Sequence, residues 1–261
     1  MSNDSPPSLS DEFAGKRAVV TGGTRGIGAA IVARLAASGA KVVTSARTEK
    51  NDMPEGVHLV VADVGTRKGV DELATSALEL LGGVDILVNN VGESSLYPDG
   101  PMSIPDEEWV RCLEVNFLSA VRMDRALLPA LTEARGSIVA ISALAVRAPQ
   151  PVMLDFAASK AALSAYAKGL SQAVGPQGVR VNTILPGFVD TPAARKLARI
   201  VAKEAGTDFD TTYANLGGPT PLGAPGKPED VAEMVAFLAS ERTAWITGGV
   251  FVVDGGRLDA L

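Results

Sequence analysis

Seven short runs rich in β-branched residues punctuate this chain, and helical-period stretches fill the gaps between them. The runs are 17–20, 41–46, 57–62, 84–88, 136–142, 179–185 and 249–254. The spacing predicts helices over 27–39, 67–81, 106–132, 152–175 and 228–240, with a further one at 193–205. Near-continuous apolar strands alternating with helices cannot face water on either side. They require a parallel sheet covered on both faces, which is a doubly wound α/β architecture with ligands beyond the carboxyl ends of the strands. At 261 residues the chain suits one such domain, expected over 13–261, with a disordered tail at 1–12. The segment 192–227 is rich in Pro, Gly and Thr, and 192–218 is expected to form a substrate lid over the strand ends.

Composition removes several classes. Lys+Arg 24 against Asp+Glu 30 gives a net charge of −6, which argues against a nucleic-acid partner. No apolar run approaches the length of a membrane span, and residues 1–12 lack the features of a secretory signal. The single cysteine, Cys112, fits a reducing compartment, so a cytoplasmic location is expected. With one histidine, His58, neither a multi-histidine metal site nor a Ser-His-Asp hydrolase is available. Trp109 and Trp245 read as packing aromatics.

The first run leads into T-G-G-T-R-G-I-G at 21–28, which opens a helix. Gly22 allows the tight turn, Gly26 lets backbone approach a pyrophosphate, and Gly28 allows close helix–strand packing. The helix start then offers free N–H groups and a positive dipole end to phosphate.

Further motifs follow in order: D-V at 63–64, N-N-V-G at 89–92, Asn116, a four-residue frame ending at Lys160, and P-G-F-V-D-T at 186–191. Together they resemble the classical short-chain dehydrogenase/reductase family over about residues 15–256. The resemblance implies a Rossmann-type fold and a nicotinamide cofactor held by Gly22, Thr24, Arg25, Gly26, Ile27 and Gly28, with Asp63 and Val64 at the adenine. Asn90, Gly92 and Lys160 would line the cofactor, and Pro186, Gly187, Val189 and Thr191 would hold the carboxamide. It also implies a homodimer or homotetramer packed through 106–132 and 152–175, with 249–256 at a second interface.

An NAD site carries a carboxylate at the end of the second strand, whereas an NADP site needs positive charge there. This chain reads T-S-A-R at 44–47, with no acid before Glu49, so Arg47 and Arg25 can fork onto a 2′-phosphate. NADP(H) is expected over NAD(H).

The family's chemistry moves hydride between nicotinamide and a carbonyl or alcohol carbon. A Tyr exchanges the proton, a Ser bonds the same oxygen, a Lys lowers the Tyr pKa and holds the ribose, and an Asn anchors a relay water. Here the position four before Lys160 is Phe156, and the position thirteen before that is Ala143. Both hydroxyls are missing. Ser142 is one place early, where strand alternation turns it to the opposite face unless the loop shifts. Glu93, Asp155, Tyr97 and Tyr213 are further candidate acids, Asp155 being expected to point away.

The expectation is therefore an NADP(H)-dependent oxidoreductase scaffold for a small-molecule carbonyl or alcohol, impaired as written. The alternatives are a non-redox lyase, isomerase or cyclase, and a cofactor-binding protein without turnover. The lid composition suits a medium-sized, partly apolar ligand and shows no basic cluster.

Overall fold

The structure, a computed structural model, describes residues 11–218 and 220–259. Its centre is a seven-stranded parallel sheet. In chain order the strands are β1 (Arg17–Val20), β2 (Lys41–Ala46), β3 (Val57–Val61), β4 (Ile86–Asn89), β5 (Ser137–Ile141), β6 (Arg180–Pro186) and β7 (Val250–Val253). In space they run β3-β2-β1-β4-β5-β6-β7. The direction of winding reverses between β1 and β4, so a crevice opens beyond their carboxyl ends.

Strand alternation divides the core. Val19, Leu87, Ile138 and Ala140 point into one apolar cluster, while Ala18, Val20, Ile86, Val88, Val139 and Ile141 point into the other. The first is closed by α2 (Arg67–Leu81), α4 (Ser119–Ala134) and α5 (Leu154–Val174), through Leu73, Met123, Leu127 and Leu163. The second is closed by α1 (Gly26–Ala37) and α8 (Pro228–Ala239), through Ile31, Leu35, Val231 and Val235. Two full apolar layers explain why the strands show no polar-out alternation.

The stretch expected as one helix over 106–132 is broken. α3 (Asp106–Leu113) passes through a wide turn at Glu114–Leu118 into α4. The turn follows an i→i+5 pattern, which adds a residue to the helical repeat and re-aims the side chains it carries.

The lid contains α6 (Pro192–Ala205), capped by the Thr191 hydroxyl, and a second helix, α7 (Phe209–Gly217), capped by Asp208. At the amino end, residues 1–10 of the expected tail lie outside the described residues. Glu12 does not belong to a tail: its carboxylate is 7% exposed and pairs with Arg34 at 3.1 Å and Arg242 at 2.7 Å. Trp245 does not pack; it is 99% exposed. No described helix is long and apolar enough to cross a membrane.

Candidate active site

The turn after β1 is shaped for a close-approaching anion. Gly22 has φ +70° and Gly26 φ +53°, both in the left-handed region that side chains resist. A Cβ on Gly28 would lie 2.3 Å from the Gly22 carbonyl oxygen, so only glycine lets α1 pack this tightly. α1 has no side-chain cap at Arg25 and no acid in its first turn, leaving its leading N–H groups for a ligand.

Around the turn, hydrogen bonds fix the backbone. The Gly23 N–H donates to Thr44 Oγ1 at 2.9 Å, and the Gly22 N–H to Ser45 Oγ at 3.3 Å. Asn90 Nδ2 donates to the carbonyls of Thr21 at 2.9 Å and Gly22 at 3.2 Å. Asn90 thus braces the turn rather than presenting its amide to a ligand. Three other residues of the cofactor motifs also turn inward. Val64 and Val189 are buried in the core, and Ile27 packs against it, so these positions offer a ligand only their backbone.

Arg25 and Arg47 are exposed and pair with no described carboxylate. Lys50, a residue the motif reading missed, donates to the Thr24 carbonyl at 3.0 Å and brings a third cation to the turn. Asp63 is exposed and accepts from the Gly65 N–H at 3.0 Å.

On the other side of the crevice, Lys160 is 2% exposed. Its Nζ donates to the Ile141 carbonyl at 2.9 Å and the Val91 carbonyl at 3.2 Å, joining the ends of β5 and β4 to α5. Burial pushes the ammonium down to about 8. A Cβ on Gly92 would lie 3.2 Å from Nζ and 3.5 Å from Asn116 Oδ1, so glycine keeps the space between them open. The wide turn aims Asn116 inward: Nδ2 donates to the Glu93 carbonyl at 2.9 Å and Oδ1 accepts the Glu93 N–H at 2.8 Å.

Phe156 lies one turn before Lys160 on the same face of α5 and is partly exposed. Ala143 is extended and partly exposed at the end of β5. Ser142 is no stand-in for the missing hydroxyl. It is buried, donates to the Lys160 carbonyl at 3.0 Å and shares a 2.9 Å bond with Ser164. Strand alternation has delivered it to the body of α5.

The other candidate acids are also held. Glu93 pairs with Arg111 at 2.6 Å, and the Tyr97 hydroxyl lies 3.5 Å from Glu108. Tyr213 donates to Asp190 at 2.6 Å. Asp155, expected to point away from Phe156, is 2% exposed, and one of its carboxylate oxygens lacks a hydrogen-bond partner.

The P-G-F-V-D-T segment closes the crevice. Pro186 pairs with Val253, Gly187 presses on Asp254, and Val189 bridges to Gly226. Thr191 stands against Gly26, where an added Cβ would lie 3.2 Å from its Cγ2. Asp190 grips Arg195 through two bonds, at 2.7 and 2.6 Å. Phe188 and Phe209 flank the Tyr213 ring at 5.2 and 5.4 Å. The lid does carry repeated cations: Arg195, Arg199 and Lys203 recur every four residues on α6, with Arg195 tied to Asp190 and Arg199 over Phe209.

A doubly wound sheet with this glycine turn, Asn116, Lys160 and the segment after β6 defines a class, and the chain belongs to the short-chain dehydrogenase/reductase family. The family model described as enoyl-(acyl carrier protein) reductase matches residues 22–257. Among curated relatives, 3beta-hydroxysteroid dehydrogenase 1 of Eggerthella lenta is 35% identical, covering 94% of this chain and 95% of that protein. The 3-oxoacyl-(acyl-carrier-protein) reductase FabG of Escherichia coli is 36% identical, covering 94% and 98%. L-sorbose reductase from Gluconobacter frateurii, solved with NADPH and L-sorbose, superposes with a TM-score of 0.88 at 32% identity, covering 97% of this chain and 100% of that one.

Proposed function

We propose that this chain is an NADP(H)-binding oxidoreductase scaffold for a small carbonyl or alcohol substrate, impaired because two reactive hydroxyls are absent. The observation that carries the reading is Phe156 one helical turn from the buried, doubly bonded Lys160. The frame that would activate a hydroxyl is intact, and the hydroxyl is missing from it.

The cofactor assignment rests on residues of this chain. The uncapped start of α1 and Gly22, Gly26 and Gly28 suit the pyrophosphate, with Thr24 in the same turn. Arg25, Arg47 and Lys50 supply charge for a 2′-phosphate, and an NADPH complex of a structural relative agrees with that preference. Asp63 stands at the adenine end. Lys160 and the backbone of Asn90 and Gly92 border the ribose, while Pro186, Gly187, Val189 and Thr191 enclose the carboxamide. When bound, the reduced nicotinamide supplies a hydride to the substrate carbon. Asn116, held by the Glu93 backbone, borders the same space beside Gly92, and the aromatic cluster of the lid excludes bulk solvent above the site.

Loss of a general acid costs about 10²–10⁴ in rate, and loss of an oxyanion donor about 10²–10³ more. The test is Phe156→Tyr combined with Ala143→Ser, followed at 340 nm (nicotinamide absorbance) across a panel of carbonyl compounds. A gain of at least about 10³ on one of them is expected from the two restored groups. NADPH binding by the double variant with no gain on any carbonyl would refute the redox reading. Substrate conversion without an absorbance change would point to a lyase or isomerase instead.

A further inference from the structure

We infer that the small cavity between the loop 93–95, α3 and α5 is a subsite for a primary ammonium group, so that the carbonyl or alcohol substrate carries an amine. The substrate class rests on the redox reading above, whereas the ammonium subsite stands on the cavity alone.

Asp155 is the residue that points to an occupant. It is 2% exposed, and its Oδ1 has no hydrogen-bond partner among the described residues. Its side chain lines a cavity of about 10 Å³, room for one water-sized group. A carboxylate taken out of water and left half-paired is costly unless something fills the place. Asp155 also stands in the first turn of α5, where the helix dipole favours the charged form. The Cys112 thiol bonds to the same side chain, but a weak S–H donor does not balance a full charge.

The charges around the cavity do not cancel. Among the described residues lining it, the carboxylates Glu93, Glu108 and Asp155 face one cation, Arg111, which leaves a balance of −2. Arg111 is committed to Glu93 at 2.6 Å and lies 4.0 Å from Glu108. Lys160 does not line the cavity, and its Nζ is held by the carbonyls of Ile141 and Val91. A water or a neutral hydroxyl would bond to Oδ1 and leave the charge standing. A metal ion is unsuited, because no described group of His, Cys, Asp and Glu side chains is arranged to hold one. An ammonium answers both needs. One N–H reaches Asp155 Oδ1, and the others meet the hydroxyl oxygens of Ser94 and Ser95, which line the same space.

The cavity adjoins the crevice. Glu93 follows Gly92, and Asp155 precedes Phe156. Asn116 Oδ1, 3.5 Å from where a Cβ on Gly92 would lie, accepts the Glu93 N–H, and Asn116 Nδ2 donates to Cys112 Sγ at 3.0 Å. One side chain therefore touches the wall of both spaces. A substrate with its carbonyl at Phe156 and its amine a few carbons away fills the two together.

The probes are 1-amino-2-propanol, 4-amino-2-butanol and 5-amino-2-pentanol, each set against the alkanol that has a methyl in place of the ammonium: 2-butanol, 2-pentanol and 2-hexanol. Binding to the NADP⁺-loaded native chain is measured by calorimetry at neutral pH. At least one amine is expected to bind about tenfold or more tightly than its alkanol. Asp155→Asn keeps the shape and removes the charge, so it should abolish that preference, with its melting temperature showing that it folds. Ser94→Ala with Ser95→Ala, on the loop rather than in α5, should weaken it. No preference for any amine, or a preference unchanged in a folded Asp155→Asn protein, overturns the inference. An amine preference with no carbonyl reduced by the Phe156→Tyr, Ala143→Ser variant removes the redox reading and leaves the subsite. Reduction of carbonyls by that variant with no amine preference does the reverse.

Discussion

Asp124 shows how strongly this scaffold perturbs an acid. It is fully enclosed, accepts from Asn89 Nδ2 at 2.7 Å, and burial pushes its carboxyl up to about 7. The folded state therefore binds a proton that the unfolded chain releases near pH 4. Stability from this group is complete below that value and is lost as pH rises through 7. Asp124→Asn should be nearly neutral at pH 5 and stabilising by about 2 kcal/mol or more at pH 8, read as a rise in melting temperature. An amide there can also donate to Asn89 Oδ1, which is buried without a partner. At the nucleotide turn, removing Arg47 and Lys50 should weaken NADPH by about 10–100-fold and leave NADH almost unchanged, as calorimetry would show. The residue types at these sites were legible in the sequence because register alone fixes Phe156 against Lys160 and Ala143 against Phe156. The direction of Ile27, Val64 and Val189 was not, because belonging to a motif does not say which side of the backbone meets the ligand.

Among the elements, strands were the easiest to read, since the inner ones are buried on both faces, while the edge strands β3 and β7 keep exposed positions such as Val61 and Val250. The expected 67–81 helix agrees with α2, which begins at a Thr66 cap and ends at a left-handed Gly82. The break between α3 and α4 was not legible. A wide turn leaves the hydrophobic period almost unchanged, and the bonds that accompany it, between Asn116 and the Glu93 backbone, are tertiary. α7 was missed because a nine-residue helix in a Gly-rich segment gives a weak period, although Asp208 ahead of Phe209 was a usable start signal. Gly28→Ala should cost about 1–3 kcal/mol in denaturant unfolding, because its methyl must displace backbone at the Gly22 carbonyl. On the lid, Asp190→Asn with Tyr213→Phe removes the grip on Arg195 and the short hydroxyl bond. Amide exchange over 192–217 should then rise at least tenfold, with α1 and β1 unaffected.

For the molecule as a whole, a groove of about 540 Å³ lies away from the crevice, on the outer face of α4 and α5, lined by Leu128, Tyr166 and Leu170 among others. We propose that a second copy covers it, giving a dimer, and that the exposed Trp245 near edge strand β7 marks a second contact that makes a tetramer. Leu128→Arg with Leu170→Arg should shift sedimentation toward the monomer. Unchanged sedimentation would place the assembly elsewhere.

The touch between Thr191 and Gly26 gives this molecule a sequence of events as well as a shape. The capping residue of the lid lies beside the phosphate turn, so a nucleotide held by that turn would meet Thr191. We therefore predict ordered kinetics, with the nucleotide binding first and leaving after the product. Inhibition patterns should accordingly be competitive between oxidised and reduced nucleotide, and non-competitive between nucleotide and product.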